Sequence, residues 1–227
     1  MALKTSKTAE GSIEAVAEKL GSKDRILASA IRAIDKGGEK SLKIRQICSE
    51  TETTAPSVYY FFGSRDGLIE AAQAARYLRG QRDLSLEFSN AVHACKTKSD
   101  FTAVAHRFLE QMFSFERRPI RSVRVNVLGS SQTRKNLAKA IAQVQLASNK
   151  IGGEPIRFAQ DMGWVRPDFN PEMYLAWLTG MVNAQLLIEL DGNHPDRADW
   201  VVIAKRSVCL LLGIPEPKYV KPKSKTK

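Results

Sequence analysis

The stretch Ser41–Leu68, SLKIRQICSETETTAPSVYYFFGSRDGL, holds the side chains with the most specific chemistry in the chain. Thr54, Ala55, Ser57, Tyr59 and Tyr60 sit within one short segment, with Arg45 upstream and Arg65 just after. Hydroxyl groups donate and accept hydrogen bonds, and a guanidinium donates in a rigid fork. That set suits the edges of base pairs and the phosphates beside them. No paired-carboxylate constellation, nucleophile motif or glycine-rich phosphate loop accompanies it, which points away from an enzyme. His93, His106 and His194 are scattered without a second ligand at metal spacing, so neither a metal nor a cofactor is expected.

Two short helices must carry these residues. Ile44, Ile47 and Cys48 form one apolar stripe, and Val58, Phe61 or Phe62, and Leu68 continue it after a break at Thr51–Thr54. Thr54 is placed to cap the second helix and Pro56 falls in its first turn, where a missing N–H costs nothing. Gly63 ends it. Neighbouring Tyr59 and Tyr60 point about 100° apart on a helix, so one is expected outside and one partly packed. A short helix with such tips, braced by another, fits a DNA major groove. Upstream, Ser22 can cap a helix over Lys23–Asp35 whose Ile26, Leu27, Ala30, Ile31 and Ile34 make a wide apolar face, stopped by Gly37-Gly38.

The remainder is helical in pattern and shows no sustained strand alternation; the fold class is all-α. One long helix is expected from Gly67 to about Cys95, loosened at Gly80. A second, capped by Ser99 or Asp100, carries Phe101, Val104, Ala105, Phe108, Met112 and Phe115 on one face up to Arg117-Arg118-Pro119. A short apolar segment spans Ile120–Leu128. Gln132 to about Met162 is helical with a kink or break at Gly152-Gly153 and Pro155. Asn170, Pro171 and Glu172 start a helix that runs to about Leu190, and a last helix opens at Pro195 and ends at Gly213. The organisation expected is a flexible arm over 1–21, in which Ser12–Leu20 forms a weak helix, a DNA-binding unit over 22–68, a helical bundle over 69–215 and a basic disordered tail over 216–227. The prolines and lysines from Ile214 onward give that tail no reason to fold.

At 227 residues the chain can bury a core unaided. Cys48, Cys95 and Cys209 are widely spaced, which argues for a reducing compartment. The first residues carry no apolar signal region, and no apolar run approaches the roughly 18 residues of a membrane span. The expectation is a cytoplasmic protein with no membrane partner. The net charge of +11 invites a polyanion, yet the basic excess is not concentrated in Ser41–Leu68.

Two sets of residues together resemble the tetracycline-repressor (TetR) family of bacterial regulators. Ile47-Cys48, followed by Ser57-Val58-Tyr59-Tyr60-Phe61-Phe62-Gly63-Ser64-Arg65-Asp66-Gly67-Leu68, is similar to the family's I-A … T-L-Y-x-H-F-x-S-K-E-x-L. The run GWVRPD from Gly163 to Asp168, with Pro171-Glu172 and later Gly180, resembles the family's G-x-x-R-P-D…P-E…G. The resemblance implies a ligand-responsive regulator, usually a repressor, that binds a pseudo-palindromic double-stranded DNA operator as a homodimer. It places Arg45, Thr54, Ala55, Ser57, Tyr59 and Tyr60 at the DNA, with Arg65 in place of a phosphate-binding lysine. Two departures stand out. Glu52 occupies the family's turn glycine, at a cost of ~1 kcal/mol, and with Glu50 it sets carboxylates near the DNA backbone. Phe61 stands where a phosphate-contacting histidine is common. They keep open an alternative, a TetR-like binding module with weakened or lost DNA binding.

The family further implies a pocket for a largely apolar small-molecule effector, with Phe108, Met112, Phe115, Trp177 and Met181 as candidates; the apolar face of Phe108, Met112 and Phe115 reads equally as ordinary core. Ala176, Gly180 and Ala184 are small residues four apart. They read either as incidental or as close packing against a second copy, with Trp200, Ala204 and Val208 on the last helix completing a four-helix interface.

Overall fold

A computed structural model describes residues 21–79, 82–190, 194 and 197–217, residues 82 and 83 by their backbone alone. The expected arm, its weak helix and the chain beyond 217 lie outside these residues. Every regular element among them is helical. The chain divides into two compact units, the first closing at Arg76 and the second opening at Tyr77.

The first unit contains α1 (Ser22–Gly37), a 3-10 turn (Glu39–Ser41), α2 (Ile44–Thr51), α3 (Ala55–Phe62) and most of α4 (Arg65–Leu78). Ile26, Ala30, Ile34, Leu42, Ile47, Val58, Leu68, Ile69 and Ala72 fill its core. These are the helical-spacing positions of the sequence, with Leu42 added from the turn. Ser22 is the first helical residue rather than a cap; Gly21 holds the cap position without a side-chain bond. Ser29, polar yet buried on the apolar face, donates to Glu50 Oε2 at 2.6 Å and so joins α1 to α2.

The long helix expected from Gly67 to Cys95 is two helices. α4 stops at Leu78 and α5 runs Arg82–His93, with Gly80 and Gln81 between them outside the described residues. Next, α6 (Lys98–Met112) is capped by Thr97, one residue earlier than expected: its hydroxyl accepts from Asp100 N, and Asp100 accepts from Thr97 N, a reciprocal capping box. That pairing holds the Asp100 carboxyl below its ordinary pKa, the Thr97 bond first among the causes. The helix ends at Met112, so Phe115 falls in a 3-10 turn (Phe115–Arg117) off the expected face. The apolar segment at Ile120–Leu128 is part of α7 (Arg118–Ser131), with Pro119 in its first turn.

α8 (Lys135–Asp161) is continuous through Gly152, Gly153 and Pro155, against the expected kink or break. The glycines serve close approach instead. A Cβ on Gly153 would stand 3.3 Å from the backbone of Pro171 and Glu172, at the start of α9 (Pro171–Ala184). Asn170 caps α9 as its sequence predicts, accepting from Met173 N at 2.9 Å. The expected run to Leu190 is interrupted at Gln185, leaving a four-residue α10 (Leu186–Glu189). α11 spans Arg197–Leu212; Pro195, its expected start, lies outside the described residues. Ile214 is buried in the core and Pro215 accepts from His106 Nε2, so the first residues of the expected tail are folded.

The interruption at Gln185 has a polar cause. Arg121 is 1% exposed and Glu189 0%, and their side chains form a bidentate pair in the second unit. Gln185 Nε2 donates to Glu189 Oε1 at 2.7 Å and to the Phe113 carbonyl at 3.1 Å. The remaining Arg121 donors reach the carbonyls of Met112 and Ser114 at 3.2 and 2.9 Å. Removing one member of such a pair strands a charge in the core. Glu189→Ala is expected to cost about 3–5 kcal/mol. Arg121→Met combined with Glu189→Leu is expected to cost less than that single change, as urea denaturation will read.

Candidate functional site

The turn between α2 and α3 sets the angle at which α3 is offered. Glu52 ends α2 in the left-handed conformation, φ 52° and ψ 42°, the geometry for which the family uses glycine. Thr51 Oγ1 donates to Ile47 O at 2.7 Å and shares a hydrogen bond with Thr53 Oγ1, fixing the turn from inside. Glu50 stays exposed at the turn, as the sequence implies, but its carboxylate is tied back. It accepts from Ser29 and from Gln46 Nε2, and those bonds hold its pKa below the usual value, Ser29 the larger cause. Glu52 is also exposed there.

Thr54 takes the N-cap position of α3, but its hydroxyl pairs with Ser57 Oγ at 3.0 Å instead of capping the backbone. Val58 points into the core. Tyr59 is 49% exposed and Tyr60 83%, so both stand outside, against the expectation that one packs. Tyr60 keeps an edge-on contact with Phe61 at 5.1 Å. Phe61 is half-buried between its aromatic neighbours, a position that offers no phosphate contact. Arg45 and Thr54 are exposed, and Ala55 and Ser57 half-buried.

Arg65 has a task inside the unit. Its Nε donates to Leu42 O at 3.0 Å and its Nη2 to Glu39 O at 2.8 Å, while Nη1 lies 3.9 Å from Asp66. The guanidinium clamps the start of α4 to the turn before α2. Gly67 makes a second tie that the sequence reading passed over: a Cβ there would fall 2.0 Å from the Phe62 carbonyl oxygen. Ser64 Oγ accepts from Gly67 N at 2.9 Å. The end of α3 and the start of α4 therefore touch backbone to backbone.

In the second unit an apolar cavity of about 20 Å³ is lined by Phe88, Phe108, Ile156, Tyr174, Leu178 and Val208 among others. Phe88 and Phe108 stack across it at 4.2 Å. Burial pushes the Tyr174 phenol well above its ordinary pKa and the Cys209 thiol up to about 11, so both stay protonated. Of the sequence candidates only Phe108 lines this cavity. Met112 is half-buried nearby and gives its carbonyl to Arg121. Phe115 is exposed beneath the Arg197 guanidinium, 4.4 Å from its ring centroid. Trp177 is partly exposed and Met181 half-buried.

Of the interface candidates, Ala204 and Val208 face the unit's own core and cannot meet a partner. The outward apolar residues of α11 are Ile203 and Leu210, which lie off the expected face. Trp200 is half-buried. On α9, Gly180 is exposed with open space where a Cβ would lie, Ala176 and Ala184 are half-buried, and Met173 and Trp177 are exposed beside them.

The first unit is a helix-turn-helix with an exposed second helix, and the second unit is a helical bundle. Residues 26–72 match the family described as bacterial regulatory proteins, tetR family. Solved structures share the whole fold at low identity. A TetR-family regulator from Rhodococcus sp. is 18% identical with a TM-score of 0.58, over 84% of this chain and 98% of its own. GusR of Salmonella enterica is 17% identical at 0.60, covering 86% and 97%. A transcriptional regulator from Saccharomonospora viridis, solved with choline, is 18% identical at 0.54, covering 82% and 94%. No curated protein matches the chain. Among the described residues no helix is long and apolar enough to cross a membrane.

Two substitutions test how the unit presents α3. Gly67→Ala forces a carbon onto the Phe62 carbonyl and is expected to lower stability by about 1–3 kcal/mol, measurable by urea denaturation. Glu52→Gly relieves the left-handed strain, and is expected to raise stability by about 0.5–1 kcal/mol in the same measurement.

Proposed function

We propose that this TetR-family protein is a ligand-responsive repressor that reads a pseudo-palindromic operator as a homodimer. The observation that carries this reading is the exposure of Tyr59 and Tyr60 on a short helix clamped by Arg65 and Gly67. Ser57, Tyr59 and Arg45 meet base edges in the major groove. Tyr60, Thr54 and the free N–H groups at the start of α3 meet phosphates. Arg65 acts on the DNA mainly by positioning, with its outer nitrogen left for a phosphate. In a two-fold dimer the two copies of α3 enter successive major grooves about 34–36 Å apart.

The outward apolar residues support the dimer. Met173 and Trp177 on α9 and Ile203 and Leu210 on α11 are exposed large side chains, and open Gly180 permits close approach. A second copy would bury them in a four-helix contact. The effector site is the cavity between Phe88, Phe108 and Tyr174. Its present volume admits about one water molecule, so an effector enters by separating the Phe88–Phe108 stack. Binding then shifts operator affinity only as far as the ligand prefers one state of the bundle.

Tyr59→Ala and Tyr60→Ala are expected to weaken operator binding by about 1–3 kcal/mol each without loss of helix content, read by gel shift beside circular dichroism. Wild-type affinity should fall steeply with salt. Unchanged affinity in both variants, or wild-type binding indifferent to salt, would remove the DNA-reading assignment and leave the binding-module alternative.

A further inference from the structure

A second polar layer in the bundle is out of balance. Arg124 on α7 is 7% exposed, yet among the described residues no carboxylate pairs with it. Its guanidinium lies 4.7 Å from the Tyr77 ring centroid, and Nη2 is 3.4 Å from the Tyr77 hydroxyl. Its Nε is fully buried with no hydrogen-bond partner. The Tyr77 hydroxyl donates to Gln145 Oε1 at 2.6 Å, and Gln145 Nε2 donates to Asn149 Oδ1 at 2.7 Å. The Tyr77, Gln145 and Asn149 oxygens each take part in a hydrogen bond within the layer, while Arg124 Nε is a donor left over. A buried cation with a surplus donor calls for an acceptor-only group of opposite charge.

Neighbouring charges do not supply it. Arg121 is saturated by Glu189 and two carbonyls. Arg117, with its pKa lowered first by burial and then by Arg121 and Arg124, adds further positive charge to the region, and the exposed Glu87 acts on Arg117 in the opposite sense. The layer also adjoins the apolar cavity along α8: Asn149 precedes Gly152, which lines that cavity, by three residues, about 4.5 Å of helix rise.

We propose that Arg124 anchors the carboxylate of an amphipathic effector, with the apolar remainder of the molecule lying between Phe88, Phe108 and Ile156. The planar guanidinium fork matches a carboxylate in two-point geometry. This inference rests on the reading of the second unit as an effector-binding bundle, and it fixes the charge class of the ligand.

The test uses the full-length protein with octanoate and decanoate as probes and 1-octanol and 1-decanol as uncharged matches. Calorimetry is expected to show the acids binding at least tenfold more tightly than the alcohols, and thermal melting to rise with the acids. Arg124→Met is expected to erase that preference, Arg124→Lys to retain part of it, and both to keep wild-type operator affinity in a gel shift. Without ligand, Arg124→Met is expected to melt at or above the wild-type temperature, because it removes an uncompensated buried charge. A lower melting temperature for ligand-free Arg124→Met would make the guanidinium a structural strut and overturn the proposal. So would equal binding of acid and alcohol, or no binding of either acid. Failure of the wild type to bind DNA would count against the regulator reading alone.

Discussion

An eight-residue helix has no stability of its own in water; isolated helices need roughly 12–15 residues even with favourable sequences. α3 has eight. Its form is therefore imposed by its neighbours, and the first unit is built around imposing it. Val58 sinks one face into the core, the Glu52 turn fixes the entry angle, and Gly67 lets α4 close on the carbonyl of Phe62. Arg65 secures the same corner from below through Glu39 and Leu42. What is left outside is a pair of tyrosines whose aim depends on contacts they do not make.

The second unit is held by a different balance. Its apolar core is joined by two buried polar layers on successive turns of α7. The first, Arg121 with Glu189 and Gln185, is closed in charge: each charge has a counter-charge, while Gln185 Oε1 is buried without a hydrogen-bond partner. The second, Arg124 with Tyr77, Gln145 and Asn149, is open. Buried ionic groups of this kind add less to stability than to the choice of one arrangement over others. A closed layer fixes the register of α7 against the segment 185–189. An open one keeps a place for a charge that the protein does not itself supply.

Helical periodicity carried the reading of the sequence wherever partners lie a few residues apart. Ile26, Ala30, Ile34, Ile47, Val58 and Leu68 could be assigned to one core from spacing alone, and Asn170-Pro171 marked the start of α9 because capping is local. The same logic misplaced what depends on distant partners. Arg121 and Glu189 are 68 positions apart, and nothing in either neighbourhood shows that they meet. Glu50 is the surface charge that its neighbourhood suggests, but nothing local shows that Ser29, 21 residues away, holds its carboxylate. Gly152-Gly153 read as a helix breaker because close approach by another helix leaves no mark in its own segment. On α11 the outward apolar residues are Ile203 and Leu210 and not Ala204 and Val208, a distinction finer than apolar patterning resolves in a helix with apolar residues on most sides.

The near-closure of the cavity has a kinetic consequence. Where the ligand-free bundle leaves room for little more than a water molecule, the competent state is a minor one, and apparent affinity is the intrinsic affinity scaled by its population. For the effector binding proposed above, capture is then gated: at high ligand concentration the observed association rate levels off at the speed with which Phe88 and Phe108 part, rather than climbing with diffusion. Loosening the aromatic stack would on that reading quicken entry and blunt discrimination at the same stroke.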